Sequence, residues 1–191
     1  MRIFFVASPR AVNKEPDLFR KIDKVLSKHN KMLGDMVVEW TKGEVEDFYS
    51  GTHKDRIEHY KRTMDYVKKA DVVVVDVSLH SMSMGYIVNK GLEISKPVIA
   101  LYKKGNDPYF FSGIEDQKLQ IVSYDESNLE QVINEALEKV AGLIDVRFNF
   151  FVSPKILAYL DWVAQKRMTP RSVFLRDLIE KEMKKDKEFK A

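Results

Sequence analysis

Two short runs of small polar and basic residues hold the chemistry that can be read from this chain. Ser8-Pro9-Arg10 follows an apolar run at residues 2–7. Ser81, Ser83 and Gly85 lie in Ser78-Leu79-His80-Ser81-Met82-Ser83-Met84-Gly85-Tyr86, after a second apolar run at residues 70–77. Hydroxyls beside the first amides of a helix hold an anion, because those N–H groups have no intrahelical partner. Arg10 supplies a cation opposite. On the residues alone, Ser81 or Ser83 serves equally as a simple helix cap. Asp76, at the end of the second apolar run, is the leading carboxylate for acid–base or nucleophilic work, with Asp65, Glu46 and Asp47 behind it. Local pairing suits Asp76 just as well. His53 and His80 are lone histidines beside loops, with no carboxylate at a telling spacing. Trp40, Tyr49, Tyr60 and Tyr86 have faces that stack on a base, and the same bulk packs a core. The chain has no cysteine and four scattered histidines, so no thiol nucleophile, disulfide, metal cluster or cofactor is expected.

These residues need a scaffold, and the apolar pattern supplies one. Strands are expected at residues 2–8, 35–40, 70–78, 97–102 and 118–123. Helices are expected at 16–29, 54–69, 84–94 and 127–143. Ala70-Asp71-Val72-Val73-Val74-Val75-Asp76-Val77-Ser78 is a β-branched run, the mark of a parallel strand buried on both faces. Strands alternating with helices imply an α/β fold, a Rossmann-like (flavodoxin-like) parallel sheet with helices on both faces. In such sheets ligands bind beyond the carboxyl ends of the strands, which is where Ser8, Arg10, Ser81 and Ser83 fall. Residues 41–51 read as a polar loop. Of 191 residues, 45% are hydrophobic and 32% charged, a composition typical of a globular protein. No apolar run approaches the roughly 18 residues of a membrane span, so a soluble, cytoplasmic protein is expected.

The stretch Ala70 to Tyr102, together with Ser8-Pro9-Arg10, resembles the nucleoside 2-deoxyribosyltransferase family, including its 2′-deoxynucleoside 5′-phosphate N-hydrolase branch. Ala70-Asp71 and the valines match the family's central strand. Ser81 and Gly85 match its serine–glycine loop, and Lys96-Pro97-Val98 matches the strand that follows. The resemblance covers about residues 2–140. It implies a nucleotide or phosphate ligand held by Ser8, Arg10, Ser81, Ser83 and Gly85. It also marks departures. Ile87 stands where the family has its reactive glutamate, Thr63 where it has a second carboxylate, and Ser83 where it has the first loop glycine. Cleaving a glycosidic bond calls for a carboxylate as nucleophile or as stabiliser of an oxocarbenium-like state. Isoleucine does neither, so the expectation is a site that binds without cleaving, with Asp76 as the carboxylate if activity persists.

The last fifth of the chain has another pattern. Arg147-Phe148-Asn149-Phe150-Phe151-Val152 alternates like a strand. Ser153-Pro154 and Thr169-Pro170 then each signal a helix start. This β-α-α order resembles the ribbon-helix-helix family of dimeric DNA-binding regulators. The resemblance implies a homodimer (or a higher even oligomer) whose paired strands enter the major groove of DNA. It places Arg147, Asn149 and Phe151 against the bases, and Thr169, Arg171 and Ser172 at a phosphate. From residue 144 onward there are 11 basic and 7 acidic residues, against 21 and 22 before it, so the cationic excess sits in this segment. The division expected is residues 1–143 as a deoxyribosyltransferase-like domain and 144–191 as a ribbon-helix-helix domain. The leading functional expectation is a non-enzymatic, DNA-binding transcriptional regulator with a nucleotide-binding large domain. The alternatives are a nucleotide N-glycosidase or deoxyribosyltransferase using a relocated carboxylate, and an antitoxin-like interaction protein.

Overall fold

The structure, a computed structural model, describes residues 1–41, 49–143 and 150–186. The chain divides into two compact units, Met1–Asp145 and Val146–Ala191. The first begins with strand β1 (Arg2–Val6), a short helix α1 (Pro9–Lys14), helix α2 (Pro16–Ser27), a two-residue strand β2 (Lys31–Met32) and helix α3 (Met36–Thr41). It continues with α4 (His53–Lys69), β3 (Val72–Asp76), α5 (Met82–Glu93), β4 (Val98–Lys103), β5 (Leu119–Tyr124) and α6 (Leu129–Ala141). The five strands form one parallel sheet in the order β2-β1-β3-β4-β5. Helices flank the sheet, as the alternation of elements implies. Strand order reverses direction between β1 and β3, which makes their carboxyl ends the switch point of the fold.

Burial explains the central strands. Val72 to Val75 and Ile3, Phe4 and Val6 are fully buried. Each such side chain contributes about 1.5–3 kcal/mol by leaving water. Arg2 anchors the start of this pair: its guanidinium donates to Asp71 Oδ1 at 2.6 Å, and its backbone N–H donates to Oδ2 at 2.7 Å. Those hydrogen bonds hold the Asp71 carboxyl below its ordinary range. Helix α5 sits close on β4, because Gly91 has no Cβ. A Cβ there would lie 2.8 Å from Val98 Cγ2.

One expected strand is a helix. Residues 35–40 form most of α3, with Met36, Val37 and Trp40 buried. Spacings of one and four residues place these three on one helical face. The edge strand is instead Lys31–Met32, and Gly34 turns the chain between them at φ 75°, a backbone conformation open to glycine. Tyr66 also packs so closely on Gly34 that a Cβ there would lie 2.5 Å from its ring.

The second unit contains helices α7 (Pro154–Arg167) and α8 (Arg171–Met183). Ser153 caps α7 by accepting from the Ile156 N–H, as its sequence signal predicts. Leu160, Val163 and Phe174 form a small core with Leu175 beside it. Met168 turns the chain between the helices in the left-handed region, at φ 52°. Phe150, Phe151 and Val152 are not in a strand, and Phe151 is fully exposed. Arg147 and Asn149 lie outside the described residues. Among the described residues, no helix is long and apolar enough to cross a membrane.

Candidate active site

The site is built where β1 and β3 end. Ser8 ends the turn after β1 and starts α1, with Pro9 in the first helical turn. It is almost fully buried, and its hydroxyl makes no cap bond. Two residues on, Arg10 extends across the switch point, and its Nη2 donates to the His80 carbonyl at 3.2 Å. That bond ties the β1 turn to the loop after β3. Ser81 occupies the N-cap position of α5, yet its side chain makes no cap hydrogen bond. The cap role that its sequence position allows is therefore not taken up, and the hydroxyl remains beside the free amides of the helix start.

Helix α4 supplies the opposite wall. Thr52 and Asp55 form a capping box: Thr52 Oγ1 accepts from the Asp55 N–H at 3.3 Å, and the Thr52 N–H donates to Asp55 Oδ2 at 2.8 Å. From this fixed start, His59, Tyr60, Thr63 and Met64 recur at helical spacing on the side facing α3 and α5. The Thr63 hydroxyl is spent on the His59 carbonyl at 2.8 Å. The Tyr60 and Tyr86 hydroxyls lie 2.9 Å apart and link α4 to α5. This contact raises the Tyr86 phenol above its ordinary value.

Together these elements enclose a cavity of about 770 Å3. It is lined by Val6, Ser8, Pro9, Arg10, Met36, Trp40, Tyr49, His59, Tyr60, Thr63, Met64, Ser81, Met82, Ser83, Met84, Tyr86 and Ile87. The size suits a small organic ligand, and a mostly apolar lining with a few convergent polar groups is the usual make-up of such sites. Ser8, Arg10, Ser81 and Ser83 are thus brought together, and Trp40, Tyr49, Tyr60 and Tyr86 share the same space. Gly85 does not line the cavity; a Cβ there would meet only the Phe111 ring, at 3.9 Å. Among the described residues the lining contains no Asp or Glu. Ile87 does line it and is nearly buried. Glu46 and Asp47 lie outside the described residues.

Asp76 points elsewhere. It is almost fully buried and accepts hydrogen bonds from Tyr124 Oη at 2.8 Å, Ser78 Oγ at 3.0 Å and the Ser78 N–H at 3.1 Å. Burial pushes its pKa up to about 6 against the pull of those donors. Ser78 Oγ in turn accepts from the Lys103 N–H, and Lys103 Nζ bonds Glu15 at 2.5 Å. Asp76 therefore ties the ends of β3 and β5 together and is not part of the cavity wall. His53 and His80 are exposed and do not line the cavity. His59, which a reading by local sequence passes over, does line it. Its signal was the helical register that it shares with Tyr60, Thr63 and Met64. Among the described residues no group of three or more His, Asp or Glu gathers as a metal site.

A parallel sheet with a partly apolar cavity at its switch point defines the class of small-ligand α/β proteins. Similarity to known proteins narrows it. The chain is 21% identical over 140 residues to a 5-hydroxymethyl-dUMP N-hydrolase of Rattus norvegicus, covering 71% of this chain and 84% of that protein. It is 23% identical over 141 residues to the Mus musculus protein of the same name, covering 71% and 79%. A putative 2′-deoxynucleoside 5′-phosphate N-hydrolase 1 of Nematostella vectensis is 26% identical over 102 residues, covering 53% and 67%. Among solved structures, a CMP N-glycosidase, BcmB, from Clostridium botulinum aligns with a TM-score of 0.48 at 15% identity, over 72% of this chain and 98% of that one. No family model matches the chain.

The sequence relatives support the deoxyribosyltransferase-like reading of the large unit and correct the leading functional expectation. Over about 140 residues the relatives bear the names of N-hydrolases, not of transcriptional regulators, so the DNA-binding regulator with a non-cleaving domain is set aside. DNA as a partner falls with it. The ribbon-helix-helix resemblance finds no support, since no family model matches any part of the chain. The Arg171 guanidinium pairs with Asp161, and the Thr169 hydroxyl bonds the Arg167 carbonyl. Pro170 caps α8 with no side-chain bond, while Ser172 is exposed on its first turn.

Proposed function

We propose that this protein hydrolyses the N-glycosidic bond of a nucleoside 5′-monophosphate. One observation carries this reading. The switch-point cavity combines an anion-binding corner (Ser8, Arg10, Ser81 and Ser83 at the start of α5) with the aromatic faces of Trp40, Tyr49, Tyr60 and Tyr86. The names of the relatives support it, since each acts on a nucleotide by N-hydrolysis or is named for doing so. The phosphate sits at the α5 amides, where partial positive charge and unpaired N–H groups favour it. Arg10 adds a full charge and is already oriented by the His80 carbonyl. The base stacks on the aromatic wall. Ile87 contributes apolar surface and no nucleophile. Water therefore attacks the sugar directly as the glycosidic bond lengthens through an oxocarbenium-like state.

The test is to incubate the purified protein with each common ribo- and deoxyribonucleoside 5′-monophosphate and to separate free base from sugar phosphate by chromatography. Base release from a monophosphate, and much less from the matching nucleoside, is expected. Arg10→Ala removes a charged hydrogen bond to phosphate and should raise KM on the order of 10- to 100-fold, with little change for the nucleoside. Absence of base release from every nucleotide tried would overturn the reading.

A further inference from the structure

We propose that His59 is the proton relay of this cavity, taking a proton from the attacking water and delivering it to the departing base. The inference rests on the N-hydrolase reading above and deepens it. Hydrolysis adds water across the bond: the water oxygen bonds C1′, the C1′–N bond breaks, and the electron pair of that bond leaves with the base nitrogen. One water proton must go to a protein group, and the base must gain one. A single neutral imidazole does both, accepting at one step and donating at the next, and it is regenerated with each turnover.

Three observations single out His59. First, it lines the cavity, and it is the lining group among the described residues whose ordinary titration falls between pH 5 and 8. The other ionisable side chains in the lining are the Arg10 guanidinium and the phenols of Tyr49, Tyr60 and Tyr86. Second, its position is well determined. It lies one turn before Thr63, whose hydroxyl bonds the His59 carbonyl, and its ring centroid is 6.3 Å from that of Trp40, at an interplanar angle of 34°. Third, its surroundings favour the neutral ring. Partial burial and the nearby Arg62 guanidinium hold its pKa below the ordinary value. Among the described residues, Arg62 on α4 is the charged group that acts on it; Glu39 on α3 pairs with that Arg62 at 3.5 Å, and Arg10 on α1 lines the same cavity. Both effects favour the neutral imidazole, the form that takes up a proton. A buried carboxylate such as Asp76 has the right range of pKa but does not reach the cavity.

The experiment compares wild type with His59→Gln and His59→Ala on the best monophosphate substrate across pH 4.5–9, with circular dichroism as a check on folding. His59→Gln should lower kcat on the order of 100- to 10,000-fold with KM little changed. It should also abolish the acidic limb of the wild-type pH profile, and added imidazole should restore part of the activity of His59→Ala. If wild type cleaves and His59→Gln keeps both its kcat and the acidic limb, the relay is overturned while the N-hydrolase reading stands. If wild type releases no base, both fall. Should neither variant fold, the wild-type protein decides through NMR titration of its four imidazoles. One that responds to nucleotide must titrate at the pKa of the acidic limb of kcat/KM, and a mismatch overturns the relay.

Discussion

Asp76 and His59 show how environment, more than residue type, assigns a role. Asp76 has the chemistry for glycosidic cleavage and sits at a strand end, as a catalytic carboxylate should. Its oxygens are nevertheless taken up by Tyr124 and Ser78. With a folded pKa raised to about 6, the group favours folding when protonated. That contribution is fully present below its unfolded pKa, near 4, and is lost as pH rises through about 6. Asp76→Asn keeps the shape without the charge. Relative to wild type, the variant should therefore gain stability between pH 4 and pH 8, by about 3 kcal/mol at most, from the size of the shift. Denaturant unfolding of both proteins at several pH values checks this, and a flat difference would show that Asp76 does not titrate in that window. The same network predicts no loss of nucleotide affinity in Asp76→Asn, because its carboxylate does not line the cavity. Legibility from sequence follows the same division. Ser8, Arg10, Ser81 and Ser83 were readable, because strand ends and helix starts are local features. His59 was missed, since the helical register that it shares with Tyr60, Thr63 and Met64 does not say what that face meets until α3 and α5 are packed against α4.

The elements act as rigid supports for this corner. α5 carries Ser83, Tyr86 and Ile87 to the cavity near its start and Gly91 onto the sheet one turn after Ile87. Gly91→Ala would bring a methyl within 2.8 Å of Val98 Cγ2, so α5 must shift or Val98 must move. Overpacking of this kind costs roughly 1–3 kcal/mol. The cost should appear in thermal unfolding, and on the proposed function a shift of α5 should also weaken nucleotide binding, because the amides proposed to hold the phosphate would move with it. A variant that melts like wild type would show that the contact relaxes freely. Residues 35–40 teach the converse lesson. Met36, Val37 and Trp40 fit a short strand as well as one helical turn, and six residues are too few for periodicity to decide. Packing against α1 and α2 chose the helix, and the edge of the sheet went to Lys31–Met32.

At the scale of the molecule, every described residue that lines the cavity falls within the first unit, Met1–Asp145. A chain ending at residue 143 should therefore fold and bind a nucleoside monophosphate with unchanged affinity, as measured by calorimetry. A large loss of affinity would mean that the second unit completes the site. That unit buries few apolar residues, Leu160, Val163 and Phe174, while Trp162, Leu178 and Ile179 remain exposed. Its two helices were legible from Ser153-Pro154 and Thr169-Pro170, but the resemblance that assigned it a partner was not sustained. Helix signals specify secondary structure and say little about what the helices meet.

By itself the sequence determined the parallel sheet, most of its helices and the standing of Ser8, Arg10, Ser81 and Ser83 at strand ends and helix starts. Those follow from burial, periodicity and the unpaired amides at helix starts, all properties of neighbouring residues. Tertiary structure alone decided which side chains share the cavity. Residues 59 and 10 are 49 positions apart, and no local rule brings an imidazole and a guanidinium to one cavity. Tertiary structure also turned Asp76 away from the ligand and toward Tyr124, because a buried carboxylate is stable only where donors from other strands meet it.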